Sequence, residues 1–344
     1  MTIAVLGRVT INKETANWTY PRDTWEVIPV NPPTFTNTFE NILDQGMRGL
    51  GFKDFGAFLG SGIGEVSLEG LAHPEQLGYL VAGIIGTVTS VTDPDLNADR
   101  WQHTFDPPSN CTIPTWSFED YLAIGSANKP PQAGSVFRYS GMMCSSFSLK
   151  FNSSEGAVGW TASFTGKSGT PAIKQSVPGV SAGAGAGSPP FIGWEGSAHI
   201  GFADKRHLGA ELDDLGRKFS KLIDYEVTFA REITLEHTCN TTTQPGLALA
   251  GPLEVTMKAS VDFSHEEDYA LYRNNTQQEF GVTISKGTKY ISVVCPYVSW
   301  IDAPVELDRG GGHVKASWSM RALYNPGTAN SPVRVLMRNG TASY

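Results

Sequence analysis

No two of the four cysteines, Cys111, Cys144, Cys239 and Cys295, are near neighbours, and no Cys-x-x-Cys pair occurs, which argues against a zinc site. Cys144 and Cys295 lie in apolar, strand-like runs and read as small core residues. Charge is scarce as well. Charged residues make up 17% of the 344, against about 25% in an ordinary soluble domain. The formal net charge is −8, so the basic surplus that tight nucleic-acid binding draws on is missing. No apolar run reaches the roughly 18 residues of a membrane span. The opening MTIAVLGRVTINKE lacks a basic start, a long apolar core and a small-residue cleavage site, so no secretory signal is expected. Triplets of the Asn-x-Ser/Thr type, such as those at Asn17 and Asn110, then reflect Ser/Thr richness.

What is present suits a packed, loop-rich β protein: 40% hydrophobic residues and 37 glycines. A surface poor in charge is also what subunit assembly leaves, because interface cores are depleted in charge. Residues 1–60 are weakly periodic and broken by Pro21, Pro29, Pro32 and Pro33, yet sticky with Trp18, Tyr20, Trp25 and Phe35. They read as an extended arm lying on the chain's own body or on a neighbouring subunit, with room for a short helix in 38–50. GEVSLEG (64–70) alternates as a strand. HPEQLGYLVAGIIG then predicts a helix with Pro74 in its first turn, Gly86 at its stop and an apolar stripe of Leu77, Leu80, Val81, Ile84 and Ile85.

Short strands are expected at 87–92, 101–106, 114–122 and 135–139, then two longer ones at 142–151 and 157–166. Residues 167–193 are rich in Gly, Ala, Ser and Pro and read as a linker. That places a first β unit at 61–166 and a second at 194–344. In the second, 222–236 predicts one strand whose polar side carries Asp224, Glu226, Glu232 and Glu236, provided the alternation runs unbroken. Strand 253–263 follows, then a helix in SHEEDYALYRNN with Ser264 and Glu267 as a capping box. Strands at 279–285, 288–295, 313–323 and 332–339 complete the unit. Each half holds a Glu-Val strand followed by a helix, and each ends in paired long strands, a weak internal repeat.

Catalytic and metal motifs fail on inspection. GKSGT at 166 has Thr161 where a P-loop needs glycine, and Tyr269 replaces the second histidine of a zinc-protease helix. In DPDLNADRWQHTFDP, Asp93, Asp95, Asn97 and Asp99 alternate as in a calcium loop, but Ala98 and Thr104 stand where that loop needs Gly and Glu. His103 alternates with Trp101 and Phe105, a strand position that suits a packed, hydrogen-bonded histidine.

Taken in order, GEVSLEG…HPEQLGYLVAGIIGTVTS, QHTFDP…IPTWSFEDY and RYSGMMCSSFSLKFNSSEGAVGWTASFTGKS resemble the tail tube proteins of long-tailed bacteriophages in their two-domain form. In the second half, FIGWEGSAHIGF, DYEVTFAREI, LEVTMKASVDF and VRVLMRNG fit the same pattern. The ordered series from about residue 38 onward carries the likeness. It implies a mainly β chain of two tandem β-sandwich or partly open barrel units, each with one short flanking α-helix, plus the extended N-terminal arm. It implies a structural virion protein and no enzyme, with no catalytic residue, metal or cofactor. Such chains form homotrimeric rings of pseudo-sixfold symmetry that stack into a tube for DNA ejection. Partners would be further copies, the tape measure, tail terminator and baseplate proteins, and passing double-stranded DNA. The place would be the virion tail, after assembly in the host cytoplasm. Trp18, Tyr20 and Trp25 are then candidates for ring-to-ring contact, and Asp224, Glu226, Glu232 and Glu236 for an acidic lumen face. Other readings of the composition are a decoration or baseplate subunit of related fold, or a carbohydrate-binding β-sandwich.

Overall fold

A computed structural model describes residues 8–14, 25–45, 54, 56–92, 100–121, 136–154, 156–172, 188–200, 217–218, 222–239, 242–262, 266–306, 314–324 and 331–344. They form a mainly β protein with two α-helices. The first half runs β1 (Arg8–Lys13), β2 (Glu26–Ile28), β3 (Thr34–Asp44), β4 (Gly56–Leu71), α1 (Leu77–Ile85), β5 (Thr87–Thr92), β6 (Trp101–Asp106), β7 (Trp116–Tyr121), β8 (Val136–Asn152), β9 (Gly159–Lys167) and β10 (Thr170–Ala172). The second runs β11 (Gly196–Ile200), β12 (Arg217–Lys218), β13 (Leu222–Ala230), β14 (Ile233–Glu236), β15 (Leu247–Ala250), β16 (Glu254–Asp262), α2 (Glu266–Arg273), β17 (Gln278–Lys286), β18 (Lys289–Asp302), β19 (Val305–Glu306), β20 (Lys315–Ala322) and β21 (Arg334–Asn339).

Eight strands make one antiparallel main sheet in the order β3–β4–β9–β8–β13–β16–β20–β18. Its covered face follows from period-2 alternation. Val66, Leu68, Phe164, Phe147, Phe151, Tyr225, Phe229, Met257 and Trp318 all point into one continuous core. The α1 stripe packs into the same core, each of its five predicted residues no more than 1% exposed. Gly86 ends the helix as expected, with φ 110° and its N–H bonded to Ala82 O. Pro74 sits in the turn before the helix instead of within it.

Both long strands serve two sheets. Val136–Met142 of β8 pairs with β7 and β10, whereas Met143–Asn152 pairs with β9 and β13. The switch falls at Gly141, whose φ of 64° is the left-handed region that a Cβ would strain. Buried Glu14 holds that corner. Its carboxylate accepts from Gly141 N (2.7 Å), Ser117 Oγ (2.6 Å) and Thr115 Oγ1 (2.7 Å). In β18, Tyr290–Val294 pairs with β21 and Val298–Asp302 with β20. Strands β17, β18, β21, β6 and β5 build the second layer in that order.

Of the two places expected for the N-terminal arm, its β1 and β2 take the chain's own body: β1 pairs with β7 and β2, and Val9, Ile11 and Ile28 are buried. Other expectations are revised. Where a short helix was expected in 38–50, residues 38–44 belong to strand β3; pairing along β4 overrides the local helical pattern, and 46–50 lie outside the described residues. The strand expected at 222–236 breaks after Ala230 and resumes as β14, which among the described residues pairs with β15 alone. The break falls at Arg231, which is buried on the core side where the alternation of Tyr225, Val227 and Phe229 places it. The linker's residues 173–187 and the cap residue Ser264 lie outside the described residues.

The two expected units share their sheets. β8 of the first pairs with β13 of the second, and β6 with β21. Arg231, 5% exposed, fastens this joint. Its Nε donates to Ile84 O (2.9 Å), Nη2 to Ile85 O (3.4 Å) and Nη1 to Gly251 O (3.0 Å). A guanidinium thus answers the open carbonyls and negative dipole at the end of α1. Arg231→Met should keep the packing volume but orphan these acceptors, costing about 2–4 kcal/mol. Urea unfolding measures it, and an unchanged midpoint contradicts the joint.

Candidate functional surface

The uncovered face of the main sheet is built from the alternate residues of strands from both halves. Register places Glu69, Thr161, Ser148, Thr228, Thr256 and Arg321 in one row across β4, β9, β8, β13, β16 and β20. Beside it, Ser67, Ser163 and Ser146 continue the hydroxyls on one side, and Ser260 and Ser317 on the other. Two neighbouring hydroxyls of the row bond to each other, Ser148 Oγ and Thr161 Oγ1, at 2.7 Å.

Charge on this face is mixed. Glu226 stands directly between Lys150 on β8 and Lys258 on β16, within the roughly 5 Å of cross-strand neighbours. Arg321 pairs with Glu254 at 2.8 Å. Of the four acids picked from sequence, Asp224 and Glu226 share the face on β13. Glu232 lies in the break after it, and Glu236 ends β14, both exposed. Sequence reasoning missed the hydroxyl row. Its signal was the Ser/Thr at alternate positions of GWTASFTG, SFSLKF, EVTMKAS and KASWSM.

A second feature is the β3–β4 hairpin, which runs past the body as a tongue. Phe58 (61% exposed), Leu59 (59%), Ile42 (51%) and Leu43 (50%) lie near its end. Successive residues point to opposite sides, so both sides of the tongue are apolar and uncovered. Its base is gripped by the second half: Gly62 N donates to Thr243 O at 2.8 Å, and Gln244 bonds Ser168. Trp25 is half-buried, while Trp18 and Tyr20 lie outside the described residues.

An extended, two-sided apolar tongue beside a broad polar sheet suits a subunit that builds on copies of itself, and the sequence model of the phage tail tube protein family matches residues 23–322. The chain belongs to the phage tail tube protein family. No curated protein sequence matches it individually. A tail tube protein is a structural component of the virion tail, made by self-assembly into a tube. Among the described residues of this one, no helix is long and apolar enough to cross a membrane.

His103 takes the buried strand position its alternation predicts, with Nδ1 bonded to Ser90 Oγ (2.8 Å) and Nε2 to Asn339 Oδ1 (3.1 Å). The calcium-like Asp93–Asp99 stretch lies outside the described residues. Burial lowers the His103 pKa, partly offset by the Asn339 bond, and pushes Asp120 up to about 6. These act with opposite sign. The His103 contribution is full above its unfolded value of about 6.5 and is lost as pH falls through the lowered folded value. Asp120 adds stability as pH falls through about 6. Urea midpoints between about pH 7 and pH 4 should therefore fall more steeply in Asp120→Asn and less steeply in His103→Asn. The reverse order would refute the assignment.

Proposed function

We propose that the chain closes into rings that stack as the tail tube, the conduit for genomic DNA, with the hydroxyl-rich face of the main sheet toward the channel. The observation carrying this reading is the row from Glu69 to Arg321, a wide uncovered face with no surplus of free cations to hold phosphates. Asp224 and Glu226 belong to that face, while Glu232 and Glu236 would stand at its rim.

Ring closure draws on two open edges. Among the described residues, β3 is paired on one side only, by β4, and the Ser299–Asp302 end of β18 is paired by β20 alone. Joining the first edge of one copy to the second edge of the next satisfies both ladders. Two similar units per chain favour three copies with pseudo-sixfold symmetry. The tongue reaches the adjacent ring, aided by Trp18, Tyr20 and Trp25. The assembled tube meets the tape measure inside and the terminator and baseplate proteins at its ends, after assembly in the host cytoplasm.

Since Val9, Ile11 and Ile28 are core residues, deleting the arm would unfold the body, and point changes are the proper test. Negative-stain images of purified protein should show stacked rings with a central hole. Phe58→Ser with Leu59→Ser should leave folded subunits or single rings, because large side chains that become buried at the centre of a contact carry most of its energy. Normal-length tubes from that variant would rule out the tongue. Ser148→Lys with Thr228→Lys should still form tubes but impair DNA delivery, and unchanged infectivity would exclude the channel position.

A further inference from the structure

The turn His73–Gln76, which leads into α1, is held from two sides: Lys289 and Ser188 bond the Glu75 carboxylate and Ser188 O bonds His73 Nδ1 at 3.0 Å, while residues 339–344 hold its backbone carbonyls. Asn339 Nδ2 donates to Pro74 O at 2.6 Å. Tyr344 Oη donates to Glu75 O at 3.0 Å and Thr341 Oγ1 to the same oxygen at 3.3 Å. The Asn339 side chain also bonds Tyr344 Oη, and its Oδ1 accepts from Thr341 N at 2.9 Å. Residues 340–344 belong to no strand or helix, so no ladder holds them.

The Tyr344 ring has a fitted seat. Its centroid lies 4.9 Å from that of Tyr79 (edge-on), 4.7 Å from His103 and 5.9 Å from Phe105. The floor is Gly78. A Cβ there would stand 2.0 Å from Tyr344 Cζ and 2.3 Å from Cε2, contacts no side chain can make. Gly78 is the second residue of α1, where glycine forgoes part of the roughly 1 kcal/mol of helix propensity that alanine brings to a helix interior. The sequence accepts that penalty at the one place where alanine would expel the ring.

We propose that residues 340–344 are a strap, keyed by Tyr344 into the Gly78 seat, that locks the entry of α1 to the second half and opens independently of the main sheet. Opening breaks the bonds to Glu75 O and uncovers Tyr79, His103 and Phe105, while Asn339, held in β21, keeps its bond to Pro74 O. It leaves the β8–β13 ladder and the Arg231 joint untouched, because none of their groups touches the strap.

Two measurements test this. In hydrogen exchange, Gly78→Ala should lose protection in peptides covering 73–80 and 339–344 while β4, β9 and β13 keep theirs. Unchanged protection, or loss spread across those strands, overturns the strap. In urea unfolding, Gly78→Ala should lower the midpoint of the otherwise unaltered chain but raise it in a Tyr344→Ala background, where the ring is gone and only the gain in helix propensity remains. The same sign in both backgrounds refutes the seat. Tyr344→Phe, which keeps the ring, should retain protection over 339–344 in the same exchange experiment; loss equal to that of Tyr344→Ala would also overturn the keyed ring.

Discussion

Everything else in the molecule depends on the antiparallel ladder between β8 and β13. Alone, each half would present a bare strand edge, an open template for uncontrolled pairing. Joined from Asp224↔Asn152 to Ala230↔Ser146, the two edges satisfy each other. Register is fixed from the core side. Tyr225 lies against Phe151 with ring centroids 5.5 Å apart, and Phe229 against Phe147 at 5.9 Å. A slip of one residue would turn these aromatics to the uncovered face, and the Glu226–Lys150 pairing would be lost with them. Arg231 follows at once and binds the end of α1, so the ladder also sets where the helix lies on the sheet.

The internal repeat becomes a statement about geometry. β4 leads to α1 as β16 leads to α2, and the long strands β8 and β18 each bend from one sheet into another. The copies then diverge where their surroundings differ. α1 is buried on nearly every side, whereas α2 is more polar and leaves Tyr269 exposed. A buried carboxylate at the β8 corner is tolerable only because Glu14 finds three short donors there.

Much of this was legible in the sequence because the main sheet has one covered and one open face. Alternation in 64–70, 157–166 and 253–263 marks strands and their inward residues without any knowledge of partners. What could not be read was non-local. Residues 38–44 look helical in isolation and are held extended by β4. Arg231 falls on the inward side of the alternation, where a charged residue is unexpected, and its burial depends on carbonyls 146 and 147 residues away. The Gly-rich linker suggests separation of the halves, while β8–β13 and β6–β21 join them. The hydroxyl row was visible strand by strand, but only register across both halves makes it a surface.

That surface changes the physical demand on a channel wall. A wall of unpaired acids repels phosphates, but only within a Debye length of about 8 Å, and its charges also repel one another across the ring. For passage, the essential condition is that no phosphate gains a lasting partner, since each neutralised phosphate adds to binding. Hydroxyls bonded to each other, as Ser148 and Thr161 are, offer no fixed counter-charge. The cations present stand among carboxylates: Lys150 and Lys258 flank Glu226 in register, and Arg321 is bonded to Glu254. On the reading proposed above, repulsion is the smaller part of the wall's work. The larger part is the mixing of its own charges among hydroxyls, which leaves a hydrated face with little for a moving polyanion to grip.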